Sequence, residues 1–325
     1  MKNVYFDSAA TTQIRDEVVD KMTSVLKENY GNPSSTHSFG RSSKTLIEQA
    51  RKSVAKILNV KASEIVFTSG GTEADNLALN SAVRDLGVRR IITSKIEHHA
   101  VLYTVNQLQD CFDIEVEYVS LDSKGHVDLK DLEERLKSSD TKTLVSLMHV
   151  NNEIGNMLDL KKTAHLVKSH NALFHSDTVQ SVGHFELDFE EIPVDFTAVS
   201  AHKFHGPKGI GALYVKSNVP FIPLIHGTKK IMAGKRAGSL YNNGIAAMAT
   251  ALEIANINLS YLNNNIKKLR NKLEDELLKI HGAKSYISRE KRLITSLAIS
   301  FKKVKDKALQ WHMNKNNIYS KQILP

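Results

Sequence analysis

The sequence has little cysteine and no long apolar run. Cys111 is the one cysteine in 325 residues, which excludes an intrachain disulfide and any metal cage built from cysteines. No stretch of about 18 apolar residues occurs, so no membrane span is predicted. The N-terminal MKNVYFDSAA lacks the basic start and apolar stretch of a signal peptide, and we expect a cytoplasmic protein. The hydrophobic content of 41% is enough for one large core, or for a large and a small domain.

Positive charge exceeds negative charge, with a net value of +9. A basic surface can attract nucleic acid, membranes or acidic partners. The lysines are spread along the chain, however, and many fall in helical stretches such as 264–279. No arginine-rich tract is interleaved with aromatic residues. We interpret the charge as a solvated surface, with nucleic acid and an acidic protein partner as minor alternatives.

Short β-branched runs alternate with helical patterns between Val60 and Val215. The predicted strands are 64–69, 90–95, 143–150, 172–177, 196–201 and 211–215. The predicted helices are 71–87, a helix from His99 into the 100s, and 159–171. Strands separated by helices imply βαβ units, so the sequence predicts an α/β fold with a mostly parallel sheet.

A second domain is predicted toward the C-terminus. Residues 246–280 carry apolar residues at helical spacing, which predicts a core-facing stripe that leads into this domain. A strand at 296–301 and a helix at 305–317 follow. The predicted domains are 14–255 for a large one, and 1–13 plus 256–325 for a small, incomplete one.

Several polar clusters follow predicted strands, at the edge where ligands bind in open α/β sheets. The segment SGGTEADN (69–76) follows a strand and opens a helix, so its glycines, Thr72 and the helix N-terminus can hold a phosphate. No Lys-Ser/Thr pair follows, which excludes a Walker loop. The alternative is an ordinary glycine-rich turn with Thr72 as the helix cap.

An aspartate and a lysine follow two further strands. Asp177 ends the strand 172–177, where a buried carboxylate must be paired, for example with a protonated ring nitrogen, or take up a proton. Lys203 lies just past another strand in SAHKFHGPKGIG (200–211), and a lysine that loses its proton can attack an aldehyde. The alternatives are an aspartate that caps a helix or pairs with an arginine, and an exposed surface lysine.

Histidines and asparagines lie past other strands. His98, in EHHAV (97–101), can lie over a planar ring or move a proton. Two adjacent histidines can also bind a metal, but ligand pairs normally come from more separated positions, and we predict no metal site. Asn152, in HVNNEIGN, can bond a ring hydroxyl or form a turn. Ser200 and His202 can donate hydrogen bonds to an anion.

With these clusters in this order, the sequence resembles the class V aminotransferases, and within them the NifS/IscS-type cysteine desulfurases. These are pyridoxal phosphate (PLP) enzymes of fold type I. The resemblance begins at YFDSAATT (5–12) and runs to the end of the chain. It is carried by YGNPSSTHSFGR (30–41), FTSGGTEADN, EHHAV, MHVNNEIGN, HSDTVQS, SAHKFHGPKGIGALYV and KRAGSLYNNG (235–244).

The resemblance implies a role for each matched residue. Lys203 is the Schiff-base lysine, His98 is the ring-stacking histidine, with a role in proton transfer, and Asp177 is the partner of the ring nitrogen. Asn152 and Gln180 face the ring substituents, and Asn32 lies near the amino-acid substrate. The residues implied to bind the phosphate are Gly71, Thr72, Ser200, His202 and, from the neighbouring subunit of a homodimer, Ser239.

The implied reaction is the removal of sulfur from L-cysteine, which gives alanine and a protein-bound persulfide for a sulfur-acceptor or iron–sulfur scaffold protein. In the family, a cysteine in a segment like AVSSGSAC attacks the substrate sulfur. That segment, and the arginine that holds the substrate carboxylate, have no counterpart before the chain ends in YSKQILP (319–325). Cys111 lies in a part that the family does not use for catalysis, and we expect a structural or incidental role.

Two explanations of this departure compete. One is a truncated desulfurase with intact PLP chemistry and impaired sulfur transfer. The abrupt end favours it, and an incomplete small domain is then expected to expose apolar surface. The other is a different activity on the same fold: a lyase, a selenocysteine-directed desulfurase, an aminotransferase or a non-catalytic scaffold.

Overall fold

The structure is a computed structural model that describes residues 3–227, 235–287, 289 and 291–321. Its strands are β1 (Val4–Tyr5), β2 (Ile65–Thr68), β3 (Arg90–Thr93), β4 (Glu115–Tyr118), β5 (Thr143–Ser146), β6 (Leu173–Asp177), β7 (Phe196–Ser200), β8 (Gly211–Val215), β9 (Ala283–Ser285), β10 (Ile299–Phe301) and β11 (Ile318–Tyr319). Its helices are α1 (Asp16–Glu28), α2 (Ser38–Ile57), α3 (Gly71–Arg84), α4 (His99–Cys111), α5 (Leu129–Lys137), α6 (Leu160–Ser169), α7 (Asn242–Ile257), α8 (Leu259–Tyr261), α9 (Lys267–Leu278) and α10 (Asp306–Lys315). A π-helical turn (Leu262–Ile266) joins α8 to α9.

Seven strands form the central sheet, in the order β2-β8-β7-β6-β5-β3-β4. β8 is antiparallel to both of its neighbours, whereas the strands from β7 to β4 run parallel to one another. Every residue of β2, β3, β5, β7 and β8 is buried, which explains why these segments are largely apolar and β-branched rather than alternating. The predicted α/β fold with a mostly parallel sheet is confirmed.

The helices that matter for the site pack directly on this sheet or on one another. α3 packs against β7 and β8 and also against α4, while α7 packs against α1 and α2. The N-terminus of α3 therefore opens at the edge where β6 and β7 end. This arrangement brings the segments after the strands together at one edge of the sheet.

The predicted strands agree with the observed ones within a few residues. The strand predicted at 211–215 is β8, and the other predicted strands of the sheet each contain one observed strand. The largest difference is at 143–150, where β5 ends at Ser146. Beyond it, the N–H groups of Leu147 and His149 still donate to carbonyls of β6, whereas the N–H of Met148 donates to the carboxyl of Glu97 at 3.1 Å.

The helical stretch predicted over 246–280 is present but is not one core-facing stripe. Ile245 and Leu252 of α7 are buried, whereas Ile257 is 76% exposed and Leu269 of α9 is 61% exposed. The helix bends by 48° between α7 and the helix that follows it. The stripe prediction is therefore wrong beyond α7, because the second helix carries its leucines to the surface of this chain.

The first residues of the chain pair with the C-terminal part. β1 is parallel to β11, with Val4 opposite Ile318, and β9 pairs with β10. The predicted boundary between 255 and 256 falls inside α7, and the division into two domains stays a prediction. Within the described residues, no single helix is long and apolar enough to span a membrane; α7 and the helix 259–278 meet that test only as a bent pair, by length and composition.

Candidate active site

Lys203 ends a 3₁₀ turn (Ala201–Lys203) directly after β7. Its side chain is half-buried, and Nζ donates to the carbonyl oxygens of Ala9 at 2.5 Å and Ala10 at 2.9 Å. Burial, and then the charge of Lys321, lower the pKa of Lys203 to about 8, against the opposing fields of nearby carboxylates. At pH 7 roughly a tenth of this amine is therefore unprotonated and nucleophilic, far more than for a lysine of ordinary pKa.

Asp177 lies at the end of β6 with 5% of its surface exposed. Its Oδ1 accepts a hydrogen bond from the N–H of Val179 at 2.9 Å. Burial raises the pKa of Asp177, while the Val179 hydrogen bond and the charges of His98 and Lys203 act in the opposite direction. A further cation close to this carboxyl would offset the cost of burying its negative charge. The position therefore suits a protonated ring nitrogen.

His98 is the N-cap residue of α4, and its Nδ1 accepts a hydrogen bond from the N–H of Ala100 at 3.1 Å. Burial lowers the pKa of His98, and the charge of Asp177 partly offsets that effect. The neutral ring therefore carries its proton on Nε2. The charges of His98, Asp177 and Lys203 act on one another. The three groups therefore form one cluster, at the edge where the strands that precede them end.

The start of α3 has the features of an anion site. Gly70 precedes the helix with no side-chain cap, so the first N–H groups of the helix are left for another acceptor. A Cβ on Gly71 would approach Cγ2 of Val179 to 2.5 Å, and one on Gly70 would lie 3.8 Å from Oγ of Ser200. Only a glycine fits between this helix and the segment after Asp177, and Ser200 borders the same space.

His202 connects the lysine loop to the N-terminal segment. Its Nδ1 lies 3.1 Å from Oγ1 of Thr11, and its carbonyl accepts hydrogen bonds from the N–H of Thr12 at 2.9 Å and from Oγ1 of Thr12 at 2.8 Å. Burial lowers the pKa of His202 to about 4, with a further contribution from Lys203. The ring is therefore neutral and can donate a single hydrogen bond toward an anion.

The remaining predicted residues lie at different distances from this cluster. Gln180 is buried and donates through Nε2 to the carbonyl of Ala9 at 2.9 Å, the same oxygen that Lys203 contacts. Asn152 donates to the carboxyl of Glu153 at 3.0 Å, whose charge acts on Lys203. Thr72 lies in the first turn of α3 with its side chain exposed.

Two predicted residues have no contact with the cluster among the described residues. Asn32 is exposed, and its Oδ1 accepts a hydrogen bond from the N–H of Ser34 at 2.9 Å within a turn. Ser239 is also exposed. Its segment is held near the start of α3, because Arg236 pairs with Glu73 at 2.9 Å.

Sequence reasoning missed the residues that hold the lysine. Ala9 and Ala10 act through backbone carbonyls, and Thr11 and Thr12 fix the lysine loop through contacts that span about 190 positions of the chain. The one available signal was YFDSAATT (5–12), which carries the family resemblance without indicating a role. Lys321, which pairs with Glu153, was missed as well.

The geometry defines a class of protein: an α/β protein with a lysine-centred site at the carboxyl ends of parallel strands and an anion cradle at a helix start. Comparison with known proteins then assigns the family. The family described as Aminotransferase class-V matches residues 4–322. The chain therefore belongs to the class-V aminotransferase family, whose members are PLP-dependent.

Three relatives show where in the family the likeness lies. Over 317 residues the chain is 40% identical to the protein named cysteine desulfurase IscS of Dictyoglomus turgidum. The aligned residues are 96% of this chain and 79% of the relative. A solved structure titled NifS-like protein matches with a TM-score of 0.93 at 40% identity, covering 98% of this chain and 87% of that one. A structure titled SspA in complex with cysteine matches with a TM-score of 0.83 at 29% identity, covering 97% and 88%.

Proposed function

We propose that this protein is a PLP-dependent cysteine desulfurase in which Lys203 holds the cofactor and L-cysteine is the amino-acid substrate. The observation that carries the proposal is a half-buried lysine with a pKa lowered to about 8, in the same cluster as the buried carboxyl of Asp177. The relatives named for cysteine desulfurase activity, and the relative solved with cysteine, support this choice of substrate.

The residues present fit the phosphate and the ring nitrogen of PLP. The start of α3, with Gly71, Thr72 and the nearby Ser200, matches the phosphate because the helix offers free N–H groups and no capping side chain. The neutral ring of His202 is a further donor for this anion. Asp177 matches the ring nitrogen, because a buried carboxyl in this position requires a cationic partner.

The remaining residues of the cluster surround the ring. The neutral imidazole of His98 would lie over the ring face. Asn152 and Gln180 carry amide groups that are suited to the ring substituents, and Gln180 also helps to orient the Ala9 carbonyl that holds Lys203. When bound, PLP supplies an aldehyde carbon and a ring that accepts electrons.

The chain's own groups do the positioning and the proton transfer. The neutral amine of Lys203 would hold the aldehyde carbon of PLP, and Nζ is the group that would accept a proton next to the substrate. His98, with its proton on Nε2, is a second group able to donate a proton. Asp177 keeps its negative charge toward the ring nitrogen, which increases the electron demand of the ring.

The remaining parts of the proposal concern the assembly and its partners. We include a homodimer in which Ser239 reaches the phosphate of the neighbouring subunit, a substrate contact by Asn32, and a sulfur-acceptor or iron–sulfur scaffold protein as partner in the cytoplasm. The exposure of Ser239 and Asn32 supports contacts with groups outside this chain. The contact of Arg236 with the first turn of α3 supports the position of the segment that carries Ser239.

The direct test is the substitution Lys203→Ala in protein supplied with PLP. The unsubstituted protein should show a visible absorbance band, and borohydride reduction followed by peptide mass spectrometry should place PLP on Lys203. The variant should show neither. Lys208→Ala is the matched control, because Lys208 is an exposed lysine of the same loop. A band that survives in the Lys203 variant would contradict the proposal, as would a spectral response to other amino acids but not to L-cysteine.

A further inference from the structure

A row of buried polar side chains lies beneath the site, and the roles proposed above do not use it. Asp75 of α3 and His175 of β6 are 1% and 0% exposed. Oδ1 of Asp75 lies 3.3 Å from Nε2 of His175, and Nδ1 of His175 lies 2.9 Å from Oγ of Ser146 on β5. The row therefore links α3 to two neighbouring strands of the sheet.

The row lies next to the carboxyl that faces the proposed cofactor. His175 and Asp177 are two residues apart on β6, so their side chains leave the same face of the sheet. Ser146 is the register partner of His175 on β5. A change in the orientation or charge of His175 is therefore expected to affect Asp177, which lies two residues further along the same strand.

The charges around the row decide where its proton lies. Burial, then the charge of Asp177 and, where it is ionised, the charge of Glu97, raise the pKa of Asp75 well above its usual value. Burial lowers the pKa of His175 to about 3. The groups whose charges act on Asp177 from the other elements are His98 and Lys203. Both shifts favour an uncharged row, with the proton on the carboxyl of Asp75 and a neutral imidazole at His175.

Oδ1 of Asp75 and Nε2 of His175 are buried atoms that otherwise have no hydrogen-bond partner among the described residues. In this protonation state the O–H of Asp75 can donate to Nε2 of His175, and the N–H at Nδ1 of His175 can donate to Oγ of Ser146. With the proton on Nε2 of a neutral His175 instead, Asp75 would be a buried, ionised carboxylate. Such a group is costly unless it is paired with a cation.

We propose that Asp75 is a positioning residue: a neutral acid that donates a hydrogen bond to His175 and so holds His175 and β6 while Asp177 alone carries negative charge toward the cofactor ring. The effect on the cofactor rests on the proposed function, whereas the proton position does not. The two parts are tested separately.

The first experiment uses the protein without added PLP. Nitrogen-15 labelling of the histidines, with His175→Gln to assign the signal, reports the tautomer of His175 by NMR. We expect a neutral ring with its proton on Nδ1 from about pH 6 to about pH 9. A proton on Nε2, or a charged ring in this range, would overturn the proposal whether or not PLP binds.

The second experiment compares two substitutions of Asp75 in protein loaded with PLP. Asp75→Asn keeps a hydrogen-bond donor and no charge, so the pH titration of the visible band should stay within about 0.3 pH unit of the unsubstituted protein. Asp75→Leu removes the donor and should weaken PLP binding roughly tenfold, because His175 loses its partner in a buried position. Far-UV circular dichroism checks that both variants fold.

The matched control is Ser176→Ala. Ser176 is 0% exposed and lies between His175 and Asp177, but its side chain leaves the opposite face of β6. It should bind PLP as the unsubstituted protein does. The proposal fails if Asp75→Asn shifts the titration as much as Asp75→Leu, or if folded Asp75→Leu binds PLP normally. If the unsubstituted protein gives no visible band, the proposed function fails, and the NMR result still decides the proton position.

Discussion

The carboxyl edge of the central sheet and the C-terminal residues 259–321 are built in different ways. At the sheet edge, Asp177 and Ser200 end fully or largely buried strands and are themselves buried. In the C-terminal residues the strands have two or three residues each, and large apolar side chains such as Leu269 and Trp311 are exposed. The difference teaches that the site geometry depends on the sheet, whereas the C-terminal residues combine a few buried apolar side chains, such as Leu293, with polar links.

A buried ion pair lies within these C-terminal residues. Glu274 is 1% exposed and Arg292 is 3% exposed, and Nη1 of Arg292 lies 2.9 Å from Oε1 of Glu274. Next to it, the N–H of Leu293 donates to the carbonyl of Gly155 at 2.7 Å, in the loop that carries Asn152. The ion pair fixes the segment of Arg292 on α9, and the backbone contact of Leu293 joins that segment to the border of the site.

The largest effect is expected from Glu274→Gln, which tests whether this ion pair stabilises the C-terminal segment that contacts the border of the site. Removal of the carboxylate leaves Arg292 buried without a countercharge, so stability should fall by about 3 kcal/mol. Urea unfolding followed by circular dichroism measures the loss. Glu276→Gln is the control, because Glu276 pairs with Lys279 at the surface and its substitution should change stability by less than about 1 kcal/mol. Equal effects of the two substitutions would show that burial of the pair contributes nothing.

The next effect concerns a buried acid in the sheet region. Oε1 of Glu97 accepts a hydrogen bond from Oγ of Ser94 at 2.7 Å, and burial raises the pKa of Glu97 to about 8. Because the native state holds this proton more tightly than the unfolded chain, its contribution to stability is full below about pH 4.5 and is lost as the pH rises through about 8.

Glu97→Gln should therefore reduce the dependence of stability on pH. Urea midpoints at about pH 5 and about pH 8 should differ less in the variant than in the unsubstituted protein, because the amide does not ionise. Glu133→Gln serves as a control, since the exposed Glu133 pairs with Lys137 at the surface. An unchanged difference between the two pH values in Glu97→Gln would mean that Glu97 is ionised in the native protein.

A smaller effect is expected from Lys321→Met, which tests whether the C-terminal residues tune the site across the border. The Lys321 charge helps to lower the pKa of Lys203, so its removal should raise that pKa by roughly half a pH unit, the scale of one charge acting through partly hydrated protein. The pH dependence of the rate at which Lys203 reacts with an added aldehyde measures this. Lys161→Met, which removes a surface lysine paired with Glu191, should have no effect. If the pKa of Lys203 stays the same in Lys321→Met, the charge of Lys321 in the C-terminal residues does not act on the site.

The smallest effect is expected from Cys111→Ser. Cys111 is exposed at the end of α4, and Nε2 of Gln107 lies 3.3 Å from its Sγ. The substitution should change stability by less than about 0.5 kcal/mol and leave the PLP band unaltered. A loss of the band in Cys111→Ser would show that the sequence interpretation of this cysteine is wrong.

The sequence predicted the sheet well where each strand is a buried apolar run. The segment 211–215 was predicted to its exact bounds as β8, because buried strands need apolar, β-branched residues at every position. Prediction was less exact after β5, where two N–H groups still bond to β6 but the N–H of Met148 bonds to a carboxyl. It failed where helical spacing was taken for burial, as in α9. Periodicity reports one apolar face but not which surface will cover it.

The candidate site divides in the same way. Asp177, His98 and Lys203 were predicted by position and by resemblance, and Gln180 by resemblance alone; the structure brings them into one cluster. Their backbone partners at Ala9 and Ala10 have no side-chain signal and lie more than 190 positions from Lys203. The Asp75 and His175 contact also stayed hidden, because each residue is placed by a different element.

By itself, the sequence determined which segments form buried strands, which helix begins with glycines and which family the chain resembles, since these depend on local residue type and spacing. The tertiary structure alone decided which groups meet: the carbonyls that hold Lys203, the carboxyls that face Asp75 and the charge of Lys321 at the border of the site. The physical reason is that burial and charge interactions depend on distance in space, and the pKa values of these groups follow from neighbours that are remote in the chain.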